Sequence, residues 1–105
     1  MKAIGQVSQI PLGEGRNFDV DGVVITVFRT RTNEVFATQP RCPHKNGPLA
    51  DGLLGGTLLV CPLHERTFDL RTGEAVAGDC SLRTYPVRAM ADGRIMLESV
   101  DALVE

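Results

Sequence analysis

The chain has 105 residues, 43% of them hydrophobic, with no Trp, one Tyr and four Phe. That length fits one small domain, spanning residues 1–105, whose thin core rests mainly on aliphatic side chains. A formal net charge of −2, from 11 Lys and Arg against 13 Asp and Glu, offers no basic footprint for nucleic acid, and the singly scattered cations make no polybasic stretch for an anionic membrane. Three cysteines are too few, and odd in number, for a secreted disulfide scaffold. The opening residues Met1 to Val7 lack a signal-peptide apolar stretch, and no run approaches the about 18 apolar residues of a membrane span. The expectation is a soluble cytoplasmic domain.

In chain order, Ser8 to Leu12 is the first candidate for a short helix. Arg16 to Val20 and Val23 to Phe28 then flank Asp21-Gly22, a two-residue hairpin signal because both turn positions need positive φ. Pairing across that turn sets Val20 opposite Val23, Phe18 opposite Ile25 and Arg16 opposite Val27. The first four of these side chains form one core-facing set, and Arg16 reaches outward at the edge. Thr32-Asn33-Glu34 reads as a turn into Val35-Phe36-Ala37. Between Pro40 and Leu63 four prolines (40, 43, 48, 62) sit among four glycines (47, 52, 55, 56), so loops are stiffened while the backbone stays free to come close to something. Leu58 to Val60 and Thr67 to Leu70 are short apolar runs, and Arg71 to Glu74 is a turn. Leu82 to Val87 and Arg94 to Leu97 bracket Ala91-Asp92-Gly93, a hairpin-like signal. Pro86 cannot donate to a ladder, which places its strand at an edge or turns its N–H side outward. Ser99 to Glu105 is the second helix candidate. Many short strands separated by turns predict an all-β sandwich or barrel.

Both histidines and two of the three cysteines fall in one pattern, Cys42-Pro43-His44 followed by Cys61-Pro62-Leu63-His64. Each loop offers one sulfur and one nitrogen, so two loops can clasp a single centre. Chance placement of core cysteines and satisfied histidines is one reading. Tetrahedral zinc with a Cys₂His₂ set is another, although zinc sites usually pair like ligands before unlike ones. The third is a 2Fe–2S cluster in which two His replace two Cys on one iron.

The stretches Cys42-Pro43-His44-Lys45-Asn46-Gly47-Pro48-Leu49 and Cys61-Pro62-Leu63-His64, with Phe68-Asp69-Leu70-Arg71-Thr72-Gly73-Glu74 after them, resemble the two cluster loops and following hairpin of the Rieske family. The resemblance implies an all-β fold of stacked antiparallel sheets, with a cluster-binding subdomain formed by two loops at about residues 40–65. It also implies a Rieske 2Fe–2S cluster, with Cys42 and Cys61 on the inner iron and His44 and His64 on the outer, more exposed one. Two neutral imidazoles in place of two thiolates leave the oxidised cluster less negative, which raises its potential over an all-Cys cluster. High-potential members carry an extra cysteine in each loop, where this chain has Gly47 and Leu63. They also carry a hydroxyl donor and a Tyr where this chain has Arg66 and Phe68. The expectation is a low-potential, ferredoxin-like centre.

Cys80 lies outside the ligand pattern and reads either as a small buried hydrophobe or as a redox thiol. Its setting, Cys80-Ser81-Leu82-Arg83-Thr84-Tyr85-Pro86-Val87, is similar to the small subunit of NAD(P)H-dependent assimilatory nitrite reductases, as are Glu14-Gly15-Arg16, Val27-Phe28-Arg29-Thr30 and Arg41 to Lys45. That similarity implies a larger flavin and siroheme nitrite reductase subunit as partner. The alternative is a stand-alone ferredoxin serving a ring-hydroxylating oxygenase component and its reductase, and a zinc-stabilised binding module is the alternative outside electron transfer. Arg41, Lys45, Glu65 and Arg66 flank the ligands, either as ordinary loop solvation or as charges that orient a redox partner. With both imidazoles committed to metal, no general acid–base side chain of that kind remains, so no substrate site of the chain's own is expected.

Overall fold

The computed structural model describes residues 1–43, 47–62, 66–76 and 80–98. The strands are β1 (Lys2–Gln6), β2 (Glu14–Val20), β3 (Val23–Arg29), β4 (Val35–Thr38), β5 (Leu53–Gly55), β6 (Leu58–Val60), β7 (Thr67–Asp69), β8 (Thr84–Tyr85), β9 (Val87–Ala89) and β10 (Arg94–Leu97). They form three antiparallel sheets of order β1-β10-β9, β2-β3-β4-β8 and β5-β6-β7. The all-β expectation of stacked antiparallel sheets holds. Among the described residues no helix is long and apolar enough to cross a membrane.

The middle sheet is organised by the β2–β3 hairpin. Its register pairs Val20 with Val23, Phe18 with Ile25 and Arg16 with Val27, as the turn dictates. Asp21 and Gly22 have φ of 54° and 87°, and the Asp19 carboxylate accepts the Gly22 amide at 2.9 Å, closing the primed turn that matches strand twist. One face of this sheet packs Val20, Ile25, Val27, Val35 and Ala37 against Ile95 and Leu97 of β10, with Phe18 and Val23 at its margin. The other face sends Phe28 into a second cluster built on Leu49, Leu59, Phe68, Leu70 and Leu82. From Ile25 to Phe28, strand β3 is therefore buried on both faces, which explains why charged residues do not alternate with its apolar ones. Its buried Thr26 satisfies its hydroxyl by donating to the Asn17 amide oxygen.

Local chemistry revises three expectations. Ser8 to Leu12 does not form a helix; a single 3-10 turn, Val7–Gln9, takes its place. Pro11 pushes the preceding Ile10 to extended geometry, φ −119° and ψ 115°, which stops the turn. Leu82 to Val87 is not one strand. Pro86 separates β8, an edge of the middle sheet, from β9, an edge of the first, so the missing donor marks a crossing between sheets. Strands β1 and β5 lie where no strand was expected, β1 because a bulge between Ala3 and Gly5 breaks its alternation. The helix expected at Ser99 to Glu105 lies outside the described residues.

Candidate metal centre

Each cysteine of the ligand pattern sits at the start of a loop, and the two loops are closed in the same way. After β4, Leu49 donates its amide to Pro40 at 3.0 Å, Arg41 and Pro48 form an isolated antiparallel bridge, and the Cys42 amide donates to the Gly47 carbonyl at 2.8 Å. Between β6 and β7, the Cys61 amide donates to the Arg66 carbonyl at 2.7 Å. Both bonds join a cysteine to the residue five positions on, although the His follows two residues after Cys42 and three after Cys61. The two Cys–His stretches thus share one closing bond at the loop base.

The structure brings Cys42 and Cys61 together: both are buried, at 0% and 1% exposure, in the cluster shared by Phe28, Leu49, Leu59, Phe68, Leu70 and Leu82. His44 and His64 lie outside the described residues, as do Lys45 and Glu65. Arg41 is exposed and Arg66 half-buried. The third cysteine, Cys80, is half-buried against the rim of the same cluster, less enclosed than a small buried hydrophobe would be.

The small sheet β5-β6-β7 delivers Cys61. Its pairs Leu54 with Leu59 and Leu59 with Phe68 turn these side chains into the apolar cluster, while Leu53, Val60 and Thr67 share the outer face. On that outer side a pocket of about 500 Å³ is lined by Asp51, Leu53, Val60, Cys61 and Pro62, so one cysteine of the pair borders an opening at the surface.

A third loop, after β7, is tied within itself. The Asp69 amide donates to Glu74 and the Gly73 amide to Asp69, at 2.9 and 2.7 Å. Gly73 holds φ of 84°, and a Cβ there would collide with the Leu82 carbonyl. Asp69 receives the Arg71 guanidinium at 2.9 and 3.2 Å and the Arg71 amide at 3.0 Å. These bonds from Arg71 hold its carboxyl down at about 2, against an ordinary 3.8.

Sequence reasoning placed the cysteines but missed what holds them. The signal available was Gly52, one of the glycines of the Pro–Gly stretch: a Cβ on it would lie 2.5 Å from the Val60 carbonyl oxygen and 3.2 Å from that of Leu49. The close approach that glycine permits here is between the backbones of the two loops.

Residues 1–86 match the Rieske [2Fe-2S] domain, and the chain belongs to that family. Its cofactor is a Rieske 2Fe–2S cluster and its chemistry is one-electron transfer, which separates it from the zinc reading. It is 33% identical over 94 residues, 88% of each chain, to the ferredoxin component of naphthalene 1,2-dioxygenase/salicylate 5-hydroxylase systems from Ralstonia sp.. Among solved structures, a ferredoxin of Sphingomonas yanoikuyae B1 superposes with a TM-score of 0.78 at 32% identity, over 93% of this chain and 97% of that one. A chain named as an NADH-dependent nitrite reductase small subunit, from Mycobacterium tuberculosis, superposes with a TM-score of 0.80 at 22% identity, over 90% and 89%. This last likeness is one of fold.

The buried cysteine pair fits such a cluster. Two ionised sulfurs in an apolar cluster are costly unless a cation neutralises them, and thiolate is the donor that iron–sulfur centres take.

Proposed function

We propose that Cys42 and Cys61 bind the inner iron of the cluster, His44 and His64 the outer iron, and that residues 1–105 form one domain carrying single electrons to a larger redox protein. The observation that carries this reading is the pair of buried cysteines, each at the start of a loop closed by the same amide-to-carbonyl bond. The cluster, when bound, supplies a one-electron couple. The chain's own part is to exclude water from the two sulfurs with Phe28, Leu49, Leu59 and Phe68 and to fix the loop bases by backbone bonds. Reduction adds a negative charge beside an apolar cluster, which disfavours the reduced form and supports a low, ferredoxin-like potential. Chemistry on any substrate belongs to the partner.

For the partner, identity above 30% to ferredoxin components over most of the chain supports an oxygenase component and its reductase. The nitrite reductase reading is favoured by the Cys80 to Val87 stretch. Both readings place the chain in the cytoplasm, where those reductases draw on NAD(P)H.

Ligand substitution tests the site. Cys42→Ser, Cys61→Ser, His44→Ala and His64→Ala should each give colourless protein with iron and sulfide well below two per chain, and any of them retaining the wild-type spectrum removes that residue from the set. A pull-down from the native host, followed by electron transfer from the reduced chain, tests the partner. Retention and reduction of an oxygenase supports the first reading, and of a siroheme-flavin subunit the second.

A further inference from the structure

The two cysteines are joined through the backbone by a short chain of contacts that avoids their side chains. From Cys42 it runs through the Arg41–Pro48 bridge and the Leu49 amide bond to Pro40, then into the single turn Leu49–Asp51. The Gly52 amide donates to the Leu49 carbonyl at 3.0 Å and ends that turn. Here the first loop meets the second: the place a Gly52 Cβ would take faces the carbonyl of Val60, the residue before Cys61. Leu53 and Val60 are then the first paired residues of β5 and β6.

Gly52 needs no special backbone freedom, since its φ of −71° and ψ of 166° suit any residue. What excludes a side chain is space. An added Cβ would stand 2.5 Å from the Val60 carbonyl oxygen and 2.9 Å from Leu59 Cδ1. The leucine tip can swing aside, but the carbonyl is backbone within a paired strand and moves only if β6 moves, taking Cys61 with it. By contrast, a Cβ on Gly55, three residues away in the same small sheet, meets nothing within 4 Å.

We propose that Gly52 is a positioning residue for the iron–sulfur centre: the absence of a side chain lets the Cys42 loop seat against the strand that delivers Cys61, and so fixes the separation of the two cysteines. The inference rests on the reading of Cys42 and Cys61 as ligands of one iron. Small changes in the sulfur positions and in the amides around them alter the electronics of a cluster, so Gly52 acts on potential without touching metal.

The test compares loaded Gly52→Ala, Gly55→Ala and Ile25→Val proteins by redox titration, by electron paramagnetic resonance of the reduced state and by thermal melting. Gly52→Ala should shift the midpoint potential and the g-values outside the spread of wild type and Gly55→Ala. Ile25→Val, which opens a small cavity in the other core cluster, away from both cysteines, should lower the melting temperature while leaving potential and g-values in place. A Gly52→Ala protein with the wild-type potential and spectrum overturns the proposal, and so does an Ile25→Val protein that shifts them equally. If Gly52→Ala takes up no cluster, hydrogen exchange decides. Protection kept over β2 to β4 but lost at the Cys42 and Cys61 amides supports positioning, whereas loss throughout makes Gly52 a general structural residue and overturns it. Failure of the ligand reading is seen separately, as a cluster retained in Cys42→Ser or Cys61→Ser.

Discussion

Gly15 and Phe28 stand opposite each other across β2 and β3, and the Phe28 ring lies over the glycine so closely that a Cβ at Gly15 would be 2.6 Å from two ring carbons. The ring is thereby free to reach the cluster that holds both cysteines. Gly15→Ala forces the ring further into a packed core. The expected cost is about 1–3 kcal/mol, the usual range for overpacking, read as a lowered thermal midpoint of the loaded protein at unchanged iron content. A midpoint equal to wild type would show that the ring moves without resistance.

The Thr26 hydroxyl is buried and donates to Asn17. Thr26→Val keeps the shape but removes that donor, while the exposed Asn17 can turn to water. The loss should be about 0.5–1.5 kcal/mol, the net worth of one such bond. Denaturant unfolding at constant m-value checks it.

Asp69 carries the pH dependence that the structure makes explicit. Its carboxyl is held at about 2 by the Arg71 side chain first and the Arg71 amide second. A depressed carboxylate contributes stability that is complete above its unfolded value, near 3.8, and that fades as pH falls through its folded value. The window is therefore pH 4 to 2, with stability falling as acid is added. Arg71→Met should return the Asp69 titration toward the ordinary carboxylate range, followed by carbon-detected NMR, and Asp69→Asn should flatten the melting curve's pH dependence inside that window only.

Cys80 packs half-buried at the rim of the cysteine cluster, and its carbonyl accepts the Ala75 amide at 3.1 Å. Cys80→Ala should leave iron per chain, visible spectrum and potential unchanged and cost no more than about 1 kcal/mol. A bleached Cys80→Ala protein would place its sulfur among the ligands.

What was legible in the residues was what depends on local chemistry. Asp21-Gly22 set a turn type, the turn set a register, and the register set which of Phe18, Val20, Val23 and Ile25 face the core. The cysteines declared themselves by pairing each with a histidine in a Pro-rich loop. Less legible was what depends on a distant stretch of backbone. Nothing in Leu53-Leu54-Gly55 distinguishes a strand from a loop until β6 lies beside it, and Gly52 looks like any loop glycine until the Val60 carbonyl fills the space where its side chain would go. Pro86 was read as an edge signal, and it is one, but only the two sheets on either side show that it marks the passage between them.

The place of β10 has a consequence for how the molecule is made. It lies between β1 and β9, pairing Leu97 with Lys2 across nearly the whole chain, and it supplies Ile95 and Leu97 to the core beneath the first sheet. Among the described residues, the cluster around the cysteines takes none after Leu82. Synthesis proceeds from the amino terminus, so β1 must wait for a partner from the far end of the chain. Pairing at that sequence separation is slow, so β1 joins its sheet after the locally paired β2–β3 and β5–β6 hairpins have formed.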